Sequence, residues 1–246
     1  MAAVASPEFA SSPVASGRWA VWNLDLFREL SEAEIDELLR RSRVVEFGRG
    51  EHVCMSGVRH SHAYLVKEGT VRMVAASPTG KRLTLALLKP GELIGDLDLG
   101  EPGEPGESAE TVTPAQLLQV PVDLLRELVD RHPEMGLQIT KLTGKRRTQI
   151  VNRIRDVMFL TVPQRLARLA LRLADEYPGT TKLGRRFVNL RLTHADLADL
   201  VGSNREAVSA TLAQMRRQKT LGTAEGRLVL LNEERLRLEG MMEPDA

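Results

Sequence analysis

Only one cysteine, Cys54, occurs among the 246 residues. A lone thiol excludes an intramolecular disulfide framework and suits a reducing compartment. Long apolar runs are missing too; the fully apolar stretches are only a few residues, as in Leu85-Ala86-Leu87-Leu88. A membrane-spanning helix needs about 20, so none is expected. The N-terminus has no charged segment followed by an apolar one, hence no expected secretory signal and a cytoplasmic location. There is no glycine-rich loop ending in Lys-Ser or Lys-Thr, no His-Glu pair at metalloprotease spacing and no nucleophile elbow, so no enzyme is expected. His52, Cys54, His60 and His62 are close in sequence and of types that suit transition metals. His60 and His62 fall in an expected turn, however, and a single cysteine among strands is most often a small buried residue. No metal site and no cofactor are expected.

Net charge is nearly absent, at +1, but it is unevenly spread. Residues 1–130 hold 13 Lys and Arg against 20 Asp and Glu, a balance of −7, and residues 131–246 hold 21 against 13, a balance of +8. A basic half joined to an acidic half fits a nucleic-acid-binding domain fused to one that does not bind.

Residues 1–22, rich in Ala, Ser, Pro and Gly, read as a disordered tail. Ser31 followed by Glu34 is a capping box that starts a helix. Between Val44 and Val122 short apolar segments alternate with glycines. Ala63–Val66, Thr70–Val74 and Arg82–Leu87 are strand-like, and Ser77–Gly80 is the turn of a hairpin joining the last two. Such texture indicates a small β-barrel or sandwich. Gly100–Ser108, dense in Gly and Pro, is expected as an exposed loop.

Helices follow. Pro121–His132 forms a short one, and Pro133 starts one of roughly 28 residues, longer than the globular average. Its apolar residues, with Leu142, Ile150, Ile154 and Val157 expected at the contact, suit a parallel homodimer. Pro163 opens another helix that ends near Glu176. Thr193 with Asp196, and Ser203 with Glu206, form two capping boxes around Gly202. Two short capped helices joined by one glycine describe a helix-turn-helix, with the second running from Asn204 to about Lys219. Arg227–Leu231, with Gly222 and Gly226 before it, suggests a hairpin wing. The second helix would expose Asn204, Arg205, Glu206, Ser209 and Ala210. Arginine pairs bidentately with guanine and glutamate accepts from cytosine N4 in the major groove, so double-stranded DNA is the expected partner.

The chain resembles the Crp/Fnr family of bacterial transcription regulators over about residues 24–232. The likeness rests on Tyr64–Val71, Pro90–Leu97, Phe159–Ala167 and Leu192–Thr211. It implies an α+β fold: a cyclic-nucleotide-binding-like β-roll at 23–132, a dimerisation helix at 133–160 and a winged helix-turn-helix at 161–235, with a C-terminal tail at 236–246. It also implies a homodimer on an inverted repeat, with RNA polymerase as a partner if the protein activates. The family's base-reading Arg-Glu pair falls on Arg205 and Glu206, and the Fnr branch's serine on Ser209. Ala210 stands where the family often has a second arginine. Thr193 and Ser203 cap the two helices, and Arg165, Arg185, Arg186 and Lys219 are the expected phosphate contacts.

In cyclic-AMP-binding relatives a Gly-Glu pair, an Arg-Ser pair and a Thr-Ser pair hold the ligand. Here these positions carry Gly95-Asp96, Glu107-Ser108 and Ile150-Val151. A carboxylate in place of a guanidinium repels a phosphate, and no Arg or Lys lies between Lys89 and Arg126. Cyclic AMP is therefore not the expected controller. The alternative is a roll that binds another small molecule, such as cyclic di-GMP or haem. Fnr-type iron–sulfur sensing needs several cysteines.

Overall fold

The computed structural model describes residues 25–55, 61–95, 108–182 and 184–241. They divide into two compact units, up to Val151 and from Asn152 onward.

The first unit opens with a 3-10 turn, Asp25–Phe27, and helix α1, Glu32–Arg41. Ser31 caps α1 through the expected box: Glu34 N donates to Ser31 Oγ at 3.4 Å, and Ser31 N donates back to Glu34 Oε2 at 3.0 Å. Eight strands follow: β1 (Arg43–Phe47), β2 (His52–Cys54), β3 (His62–Glu68), β4 (Val71–Ala76), β5 (Arg82–Leu88), β6 (Leu93–Ile94), β7 (Ser108–Thr111) and β8 (Ala115–Pro121). They form two antiparallel four-stranded sheets, ordered β1-β8-β3-β6 and β2-β7-β4-β5. Period-two alternation assigns each strand's faces. On β3, Ala63 and Leu65 point to one side, where α1 and helix α2 (Val122–Arg131) bury them with Leu38, Leu118, Leu125 and Leu128. Val66 points the other way, into an interior shared with Val71, Met73, Ala86, Ala109 and Leu117. Each fully buried aliphatic side chain contributes about 1.5–3 kcal/mol. One point differs from expectation. His62 belongs to β3 rather than to a turn. Residues 1–22, His60 and most of the Gly100–Ser108 segment lie outside the described residues.

Helix α3, Pro133–Phe159, is 27 residues long and crosses the boundary between the units. Its faces divide the four residues expected at the dimer contact. Leu142, Ile150 and Val157 are half-buried by their own chain, Ile150 against the roll interior. The apolar side chains left exposed are Leu137, Val151, Ile154, Met158 and Phe159. Among the four expected contact residues, Ile154 alone belongs to that row.

The second unit contains α4 (Val162–Glu176), β9 (Pro178–Thr180), β10 (Arg186–Val188), α5 (His194–Val201), α6 (Arg205–Arg217), β11 (Leu221–Ala224), β12 (Arg227–Leu230) and α7 (Glu233–Met241). Its sheet runs β11-β12-β10-β9, and β11–β12 is the expected hairpin. Leu166, Leu173, Leu197, Val208, Leu212, Leu228 and Leu236 are buried in its core. Residues 236–241 are therefore not tail. They complete α7, whose Leu236 is fully buried and whose Gly240 carbonyl accepts from Arg168 Nε at 2.6 Å.

Candidate nucleic-acid interface

Local hydrogen bonds set the geometry of the helix pair. Thr193 and Asp196 form the expected capping box at α5: Asp196 N donates to Thr193 Oγ1 at 3.1 Å, and Thr193 N donates to Asp196 Oδ2 at 2.8 Å. α5 ends at Gly202, with φ 62° and ψ 51°. Only glycine adopts that left-handed conformation without strain. The second cap departs from expectation. Asn204 caps α6, its Oδ1 accepting from Ala207 N at 2.8 Å. Ser203 instead closes the turn, its N donating to Ala198 O at 3.0 Å. A short carboxamide in an extended residue reaches the third amide of a helix as well as a hydroxyl does, so the cap moves one residue and the Ser203–Glu206 box does not form.

With Val208, Leu212 and Met215 buried, the opposite side of α6 faces outward. Asn204, Arg205, Glu206 and Ala210 are exposed, and Ala213, Arg216 and Arg217 prolong that surface, a continuation the sequence reading did not include. Ser209 is half-buried. Its Oγ donates to Arg205 O at 2.8 Å and lies 2.8 Å from His194 Nδ1. His194 was also missed, although it directly follows the capping Thr193. Near the wing, His194, Thr223, Glu225 and Arg227 line a cavity of 160 Å³.

The four expected phosphate contacts separate. Arg185 and Lys219 are exposed. Arg186 is not free: Nη2 bonds Asp175 Oδ1 at 2.5 Å and Nη1 bonds Glu233 Oε1 at 2.9 Å, joining α4 to α7 and raising its pKa. Arg165 Nη1 donates to Gly202 O at 3.3 Å, at the turn between α5 and α6, and burial pushes its pKa down. Within the unit, carboxylates across the fold engage Arg186 and the turn carbonyl engages one Nη of Arg165.

The cassette positions scatter. Gly95 has φ +83°, and a Cβ there would sit 3.4 Å from Ala63 Cα. Asp96 and Glu107 lie outside the described residues. Ser108 Oγ donates to Val74 O at 3.4 Å. Ile150 turns to the roll interior and Val151 outward. Arg146, buried on α3, donates to Leu93 O at 2.5 Å. Arg72 and Arg82 reach β7, where both pair with the buried Glu110 and, by geometry, hold its carboxyl below the usual range against the opposing effect of burial. His52 and Cys54 lie on β2, and among the described residues no three His, Cys, Asp or Glu side chains converge as a metal site. No described helix is long and apolar enough to cross a membrane.

Comparison with known proteins agrees with this architecture. The family model for the cyclic nucleotide-binding domain matches residues 44–132, and that for the Crp-like helix-turn-helix domain matches residues 164–239. A CRP-like cAMP-activated global transcriptional regulator from Mycobacterium tuberculosis is 30% identical over 208 residues, covering 85% of this chain and 92% of that protein. A cyclic AMP receptor protein from Thermus thermophilus is 30% identical over 213 residues, covering 85% and 95%. Among solved structures, a transcriptional regulator of the CRP/FNR family from Thermus thermophilus superposes with a TM-score of 0.69 at 26% identity, covering 82% of this chain and 100% of that one.

Proposed function

The chain belongs to the Crp/Fnr family of transcription regulators, and from that premise we propose that its homodimer reads an inverted repeat in DNA without cyclic AMP as controller. The observation that carries the reading is the exposed Arg205-Glu206 pair in the first turn of α6, held outward by the Asn204 cap and the buried Val208. In a major groove Arg205 would pair with guanine and Glu206 would accept from cytosine N4. Arg185, Lys219 and the N-terminus of α5 would take backbone phosphates.

The dimer would form along α3 through Leu137, Val151, Ile154 and Met158, whose spacing follows a heptad seam. A two-fold pair of α6 helices then meets successive major grooves about 34 Å apart. The roll (23–132) and α3 would act as the dimer platform, and the winged helix-turn-helix would run from 161 through α7. The location would be the cytoplasm, and RNA polymerase a partner if the protein activates. Two relatives are named for cyclic AMP. Against carrying that over, Ile150 packs into the roll at the position where the family resemblance places a polar adenine contact, and Glu107 stands where it places a phosphate-binding arginine.

Selection of bound sequences from random DNA, with purified protein and no ligand, tests the reading. Enrichment of an inverted repeat is expected. Enrichment only after adding cell extract would make the roll a sensor of another small molecule. Calorimetric titration with cyclic AMP should show no binding, and saturable binding would restore cyclic-AMP control.

A further inference from the structure

Ser209 sits one turn inside α6, facing the first residue of α5. Its Oγ is 2.8 Å from the Arg205 carbonyl oxygen and 2.8 Å from His194 Nδ1. A carbonyl oxygen only accepts, and a serine hydroxyl has one proton to give. The Ser209 proton therefore goes to Arg205 O, the back-bond common for serine within a helix. The hydroxyl oxygen must then accept from His194, so the imidazole carries its proton on Nδ1. One lone pair of Ser209 is left for anything outside.

We propose that His194 is a positioning residue that makes Ser209 an obligate hydrogen-bond acceptor, so that the half-site position facing Ser209 takes a base presenting an amino group in the major groove, adenine or cytosine. This rests on the reading of α6 as the base-reading helix. An unrestrained serine hydroxyl donates or accepts and discriminates little. Guanine and thymine offer only acceptors at that edge, adenine N6 and cytosine N4 offer donors, and the bond from His194 removes the rotamer that would serve the first pair. His194 needs no contact with a base for this. Its ring touches the hydroxyl from α5, the helix that precedes α6.

The test compares base preference at every half-site position, by selection from random DNA, for wild type, His194→Ala, His194→Asn, His194→Gln and Ser209→Ala. Binding to random duplex is measured alongside. An asparagine amide places an N–H near the position of Nδ1, whereas glutamine places it near Nε2. Wild type should distinguish, at one position, a base pair from its strand-reversed counterpart. His194→Ala should lower that preference roughly tenfold, at that position alone. His194→Asn should restore it and His194→Gln should not. Ser209→Ala should level the same position. Should His194→Ala unfold, the Asn-against-Gln contrast carries the test, since both keep a polar side chain of similar size. Equal behaviour of the Asn and Gln variants overturns the proposal. If Ser209→Ala changes no position while Arg205→Ala does, Ser209 reads nothing and the proposal falls, with α6 still the reading helix. If neither changes any position, the reading of α6 itself falls.

Discussion

The roll gathers Arg72 and Arg82 onto one buried carboxylate, while the helix-turn-helix holds several of its charged groups apart. In the first unit Glu110 is buried and takes both Arg72 and Arg82, and buried Arg146 takes the Leu93 carbonyl. In the second unit Arg205, Glu206, Arg216 and Arg217 stand exposed along one side of a helix whose other side is core. Arginine is abundant in both. What separates them is whether a carboxylate or carbonyl of the same fold lies within reach. Arg186 makes the point inside the second unit, since two carboxylates withdraw it from the surface that Arg185 still occupies.

The sharpest way to break this contrast is to remove a partner in the roll. Glu110→Ala takes the buried carboxylate from Arg72, which is largely buried, and from the exposed Arg82. It should cost about 3 kcal/mol of stability, as loss of one member of a buried ion pair does, measured by denaturant unfolding. DNA affinity per folded molecule should not change. A loss below about 1 kcal/mol, typical of surface ion pairs, would place Glu110 with the exposed groups. Arg205→Ala should behave in the opposite way. Specific affinity should fall by roughly 1–3 kcal/mol with relaxed preference at one base pair, stability staying within about 0.5 kcal/mol. Equal affinity for specific and random DNA before and after the change would remove Arg205 from the interface.

A smaller effect separates the two candidate caps. Asn204→Ala should cost about 1 kcal/mol of stability, and Ser203→Ala should lie within about 0.5 kcal/mol, both read from thermal or denaturant unfolding. The reverse order would return the cap to Ser203. The smallest effect is acid sensitivity in the first unit. Hydrogen bonds from His132 and then Ser31 hold the Glu34 carboxyl down from 4.5 to about 2. Since the folded pKa lies below the unfolded one, the stability this group contributes is present above about 4.5 and fades as pH falls toward about 2. Glu34→Gln should therefore flatten the pH dependence of unfolding in that window. An unchanged acid profile would mean that the side chain is not held as described.

Much of the fold was legible because its signals are local. The Ser31–Glu34 and Thr193–Asp196 boxes, the left-handed Gly202 and the Ser77–Gly80 hairpin turn each involve groups a few residues apart. Contacts between distant parts of the chain have the opposite property. Arg186 meets Glu233 across 47 residues. Arg165 meets a carbonyl 37 residues away. Residues 236–241 of α7 are assigned to the tail from sequence because Glu233–Met241 has little apolar periodicity of its own, and Leu236 becomes core only against the rest of the unit. The placement of the α6 cap failed for a subtler reason. Ser203 and Asn204 are both good caps, and the choice depended on which of them the preceding turn engaged.

The sequence by itself determined the order of elements, the two-part architecture and the position of the helix-turn-helix, because hydrophobic period, capping pairs and turn glycines act within one or two turns of chain. Only the tertiary structure decided which of several similar side chains remain available. It drew Ile150 inward and left Val151 and Ile154 outside, tied Arg186 while leaving Arg185 exposed, and brought His194 to Ser209. The reason is physical: a buried or bonded group is defined by the atoms packed around it, and those come from parts of the chain that no local pattern connects.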